Sequence, residues 1–143
     1  MKPEDLMRNP FMSNTKFQEQ MGFLKEESEF DKIIKVLTVP AKSGIYISKV
    51  DIRNIGLSIG VEVIVRERKE MLKDLFYYSK QFDKMKEFLD KLIEFTNHKI
   101  SQYREIQSEF PASAPIIEEW VEKALRLTKF IENLKREVDI YKV

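Results

Sequence analysis

The chain has no cysteine and a single histidine, His98, and these absences remove more chemistry than any motif supplies. Without thiols there is no disulfide framework, no thiolate nucleophile and no sulfur-based zinc site, and the composition fits the reducing cytoplasm. With one histidine, the Glu-x-x-His pair of a ferritin-like di-iron bundle cannot be assembled within one chain. Glu94 lies four residues before His98 and Glu105 seven after it, a spacing shared by many solvated helix faces. His98 therefore reads as a solvated or capping side chain, and no metal or cofactor is expected. Phosphate-cradling glycine loops and the nucleophile-elbow turn are also missing, and helix-face carboxylates are too numerous to single out an acid–base pair. The expectation is a protein that is not an enzyme.

Glycine and proline are scarce as well, 4 and 5 in 143 residues, which leaves little room for turn-rich β architecture. The most apolar window, Ile55 to Val65, is interrupted by Gly56, Ser58, Gly60 and Glu62 and is too short to span a bilayer. The first residues, Met1 to Asn9, include Glu4 and Asp5 and lead into no apolar core, so they do not read as a secretory signal. Charge of one sign is lacking too. The formal net charge is +1, with residues 1–31 at −3, residues 32–110 at +4 and residues 111–143 at 0. A surplus of four spread among interleaved acids is no basic face, so nucleic acid is not expected as a partner.

What the chain does have is helical periodicity. The C-terminal stretch carries Ile117, Trp120, Ala124, Leu127, Ile131, Leu134, Val138 and Tyr141 at alternating spacings of three and four, a coiled-coil-like seam that must lie against another helix. Trp120 is expected in the core on this pattern, with an interface anchor as the other reading. From Arg66 to Phe110 there is no proline or glycine, and Leu75, Tyr78, Phe82, Met85, Leu89, Leu92, Thr96, Lys99, Tyr103, Ile106 and Phe110 keep the same spacing. Phe76, Phe88, Ile93, Phe95 and Ile100 widen this stripe, so the helix should touch more than one neighbour. An unbroken helix from Lys49 to Phe110 would run about 90 Å at 1.5 Å per residue, too long for such a domain, and a break is expected near Ser79 to Asp83. Pro111 and Pro115 bound a short reversal into the last helix, with Ser113 as its candidate cap.

Earlier segments are less regular. Residues 1–13 form an arm without a period of their own, and residues 14–143 a single helical-bundle domain. Asn14 begins a helical pattern through Phe17, Met21 and Leu24, with Ser28 a second start, and Pro40 closes it. Val39 to Ile47 reads as a loop or short extended piece. Ile52 to Arg66 fits two descriptions. Ile55, Leu57, Ile59, Val61, Val63 and Val65 alternate as in a strand, whereas Ser48 and Asp51 offer a capping-box start and Ile52, Ile55, Ile59 and Val63 share a helical face. Helix is the preferred reading, and a short β element near residues 44–65 is the alternative.

These observations lead to a mainly α fold, an antiparallel bundle of three to four helices. The expected function is a non-enzymatic protein–protein interaction module of adaptor, chaperone-like or assembly-factor type, with another protein or a second copy of itself as partner. Partner-binding candidates are Ile117, Trp120, Leu127, Ile131, Leu134, Val138 and Tyr141. The alternative is a small-ligand or anion-binding regulatory domain using Arg66, Lys69 and Lys73 on one face, although Glu67, Glu70 and Asp74 nearly balance them. Tyr77 and Tyr78 beside these cations follow the core stripe more simply than they suggest base stacking.

Overall fold

The computed structural model describes residues 30–142, with side chains described through residue 138. The arm at residues 1–13, the helical pattern from Asn14 and the side chain of Tyr141 lie outside the described residues. Contacts divide the chain after Phe30, and the account that follows concerns the unit from Asp31 onward.

Residues 30–37 are helical (α1), and Ile33, Ile34 and Leu37 are buried. Pro40 ends α1 as its sequence predicts, because the residue before a proline is pushed out of the helical region; Val39 has φ −122° and ψ 99°. The same proline then starts a one-turn helix, Pro40–Ser43 (α2), where a loop was expected. Proline is preorganised for a first helical turn, and Ser43 is fully buried, so the turn is held by packing. Gly44 closes α2 in the left-handed region at φ 78°. Ile45 and Ile47 are buried on either side of exposed Tyr46, yet no strand occurs among the described residues, and the β alternative for residues 44–65 is not realised.

Helix α3, Lys49–Ser58, begins with the expected capping box. Asp51 N–H donates to Ser48 Oγ at 3.0 Å, and Ser48 N–H donates to Asp51 Oδ2 at 2.9 Å. Ile52 and Ile55 face the core. The helix ends eight residues before Arg66, for two reasons. Gly60 adopts φ 81°, and Gly56 O accepts the N–H of Val61 at 2.8 Å, turning the chain off the helix axis. A Cβ on Gly56 would lie 2.6 Å from Val61 O, so this turn needs the bare backbone. The chain then runs straight through residues 61–67.

Helix α4, Arg68–Gln81, stops at the break anticipated near Ser79 to Asp83: Asp83 sits at φ 57°, a region that aspartate tolerates better than most residues. Helix α5, Met85–Glu109, and helix α6, Ala114–Lys142, are joined by the 3₁₀ turn Pro111–Ser113. They form an antiparallel hairpin with the most extensive helix–helix contact among the described elements. Phe88, Leu89, Leu92 and Thr96 of α5 and Ile117, Val121, Ala124, Leu127 and Ile131 of α6 are buried. Phe76 of α4 packs edge-on against Phe88, ring centroids 4.7 Å apart. Asp90 pairs with Lys135 at 2.5 Å and Arg104 with Glu118 at 2.6 Å, so both of these ion pairs join α6 to α5. Such exposed pairs contribute little apiece and act chiefly on register.

Candidate interaction surface

The two hairpin helices have 25 and 29 residues, whereas α2, α3 and α4 have 4, 10 and 14. Apolar side chains at the end of the hairpin therefore run out of neighbours. The end of α2 touches α6 at Gly44. A Cβ placed there would lie 2.2 Å from Trp120 O, which shows how closely the α2 terminus is seated on α6. The Tyr103 hydroxyl donates to Gly44 O, and its ring lies 5.8 Å from that of Trp120. Partial burial raises the Tyr103 pKa above the usual phenol value.

Beyond this joint, two turns of each helix carry large apolar groups in the open. Ile106 lies in the last turn of α5 and Phe110 directly after that helix, and Ile116 and Trp120 stand four residues apart on α6. Phe110 and Ile116 are each 60% exposed and Trp120 is 42% exposed. A polar network holds the two helices in place there. Arg104 donates to Gln107 Oε1 at 3.0 Å and to Glu118 Oε1 at 2.6 Å, while Gln107 Nε2 donates to Ala114 O at 3.2 Å and Glu118 Oε1 at 3.1 Å. These hydrogen bonds, first from Gln107 and then from Arg104, hold the Glu118 carboxyl below the usual range. Ser113 does not show the capping bond expected of it; its hydroxyl donates backward to Phe110 O at 2.7 Å and closes the 3₁₀ turn. The result is an apolar end on a fixed backbone, and exposed apolar groups gathered in this way are characteristic of interaction surfaces.

The partner-binding candidates divide into two groups. Ile117, Leu127, Ile131 and Leu134 are buried within this chain, so their seam is closed from inside, and Val138 is half-buried. Trp120 is the exception to the core placement its spacing predicts, because α2 ends before covering it. Ile106, Phe110 and Ile116 were not singled out as binding residues. The signal that marks them is the length mismatch between the helices flanking Pro111 and the short elements before Arg66.

The anion candidates do not assemble into a free basic face. Arg66 precedes α4, and its Nη2 and Nε donate to Asp74 Oδ2 at 2.6 and 3.2 Å. That hydrogen bond and the charge of Asp74 raise the Arg66 pKa further. Lys69 and Lys73 are exposed on α4. Arg68, not a candidate from sequence, donates to Thr38 O at 2.9 Å and lies 4.6 Å from the centre of the Tyr46 ring, which fastens α4 to the segments before α3. His98 lines a cleft of about 440 Å³ between α3 and α5 with Asp51, Asn54, Lys91, Glu94 and Phe95. Among the described residues no group of three or more metal-ligating side chains comes together, and no helix is long and apolar enough to cross a membrane. No family model, no curated protein and no solved structure matches this chain.

Proposed function

We propose that the chain is a non-enzymatic protein-interaction module, an adaptor, chaperone-like or assembly factor of the cytoplasm, that presents the end of its α5–α6 hairpin to a partner protein. The observation that carries this reading is the gathering of Ile106, Phe110, Ile116 and Trp120, all exposed, on or beside two helices held together by the Arg104–Gln107–Glu118 network. Tryptophan and other large apolar side chains on a rigid backbone lose little conformational freedom on binding, which suits them to act as anchors. Buried seam residues such as Leu127 serve the scaffold in this reading.

The test is affinity capture from the native lysate with the intact chain and with a Phe110→Ser, Ile116→Ser variant. Both replaced side chains are largely in solvent, so the thermal melt of the variant should match that of the parent. A stoichiometric partner retained by the parent and lost by the variant is the expected result. Identical sets of captured proteins would remove the hairpin end from the proposal. The small-ligand reading rests on the α3–α5 cleft and predicts thermal stabilisation by a small polar compound, lost on Asn54→Leu.

A further inference from the structure

Between Gly60 and α4 the chain reads Val61-Glu62-Val63-Ile64-Val65-Arg66-Glu67 and runs without helix, turn or bend. Val61 and Val63 are buried, while Glu62, Ile64, Val65 and Arg66 are exposed. At 78%, Ile64 is the most exposed large apolar side chain among the described residues, and Val65 is 59% exposed. This is a strand in composition and alternation that lacks a sheet. The backbone N–H and C=O groups of residues 62–66 make no hydrogen bond to any described residue. Val61 and Val63 point into the core and Glu62 and Ile64 away from it, and in an extended chain of that alternation the backbone groups lie to the side, where a neighbouring strand would pair.

We propose that the segment is a self-association strand: two copies of the chain pair antiparallel through residues 62–66, about a two-fold axis at Ile64. The charges select the occupant and the register. Antiparallel pairing centred on Ile64 sets Glu62 opposite Arg66 of the second copy and Arg66 opposite its Glu62; Nε and Nη2 of each Arg66 hold its own Asp74, which leaves Nη1 for the incoming Glu62. The two Ile64 side chains meet at the axis, and each Val65 is covered by Val63 of the other copy. Parallel in-register pairing would instead oppose Glu62 to Glu62 and Arg66 to Arg66, which like charges disfavour. An antiparallel shift by one residue turns side chains to the wrong face. Glu62 has no ion-pair partner among the described residues, so the second copy supplies its first. Two-stranded ribbons are marginal alone but hold when one face packs on helices, as Val61 and Val63 do here. The contact is isologous and closes at two copies. It uses none of the residues of the hairpin end and does not depend on their role.

The experiment is sedimentation velocity of the full chain over roughly 1–500 µM, a range that suits a small interface. The parent should move with concentration toward twice the 17.0 kDa chain mass. Ile64→Lys, which puts two ammonium groups at the axis, should weaken association by at least about tenfold and leave the helical circular dichroism and melt unchanged. The absence of cysteine permits a second, independent reading. Ile64→Cys opposes its own copy at the axis and should form an intermolecular disulfide under mild oxidation much faster than Val50→Cys, an exposed control on α3. A parent monomeric throughout the range, a dimer indifferent to Ile64→Lys, or cross-linking no faster at 64 than at 50 would each overturn the proposal.

Discussion

Replacing Gly44 by alanine tests the joint between α2 and the hairpin more sharply than any core truncation. Two separable costs fall on this residue. Its φ of 78° is left-handed, which costs a side-chain-bearing residue about 1–2 kcal/mol. The added Cβ would also lie 2.2 Å from Trp120 O and 3.1 Å from Lys123 Cβ. Because the first of these is helix backbone, relief requires α2 or α6 to move, and overpacking of this kind costs about 1–3 kcal/mol. Such movement pulls Gly44 O from the Tyr103 hydroxyl, a hydrogen bond with a net contribution of about 1 kcal/mol. The expected loss is about 3–6 kcal/mol, a large share of the roughly 5–15 kcal/mol typical of a domain. Gly60→Ala is the matched control. Its φ is 81°, but the nearest atom to its Cβ is the flexible Lys84 Nζ at 3.5 Å, so only the backbone cost of about 1–2 kcal/mol applies. Urea unfolding followed through Trp120 fluorescence, with circular dichroism as a second probe, measures both variants. If Gly44→Ala loses no more than Gly60→Ala, the close seating of α2 on α6 is refuted.

Two further expectations follow from single side chains. Ser79 is buried, and among the described residues its hydroxyl has no hydrogen-bond partner, so Ser79→Ala should leave stability unchanged or raise it by up to about 1 kcal/mol in the same urea assay, and a loss above that would show a partner for the hydroxyl. The Glu118 carboxyl should titrate below the ordinary range when followed by NMR, and Gln107→Ala should return it upward. Because folding lowers this pKa, its stabilising contribution is complete above the unfolded value and is lost as pH falls through the folded one. A midpoint at or above the ordinary value in the parent would contradict the network.

Features controlled by neighbours in sequence were legible before the structure. Ser48 and Asp51 announced the start of α3, Pro40 the end of α1 and the Pro111–Pro115 stretch the hairpin reversal, because capping bonds and proline sterics act within a few residues. The 3–4 stripe of α6 likewise gave the buried set, Ile117 to Leu134. It gives an angle on the helix but not the extent of whatever stands opposite, so it misplaced Trp120, whose exposure depends on α2 ending at Gly44. The alternation from Val61 to Val65 was legible as an in–out pattern, and burial follows it as far as Val63. Whether a partner strand exists is a property of the rest of the surface, and none is present among the described residues. Arg66 was placed on a helix face with Lys69 and Lys73. It lies before α4, where Gly60 has already redirected the chain, and Asp74, eight positions on, comes within its reach.

The joint at Gly44 also bears on how the chain reaches its fold. Helices α5 and α6 meet across a turn of a few residues, so their contacts close small loops and can form early, whereas Gly44 and Trp120 are 76 positions apart in sequence. Seating α2 on α6 requires closure of that long loop onto a hairpin that must already exist to receive it. The single tryptophan stands at that meeting point, so its emission follows the closing step, while circular dichroism follows the hairpin that comes before it.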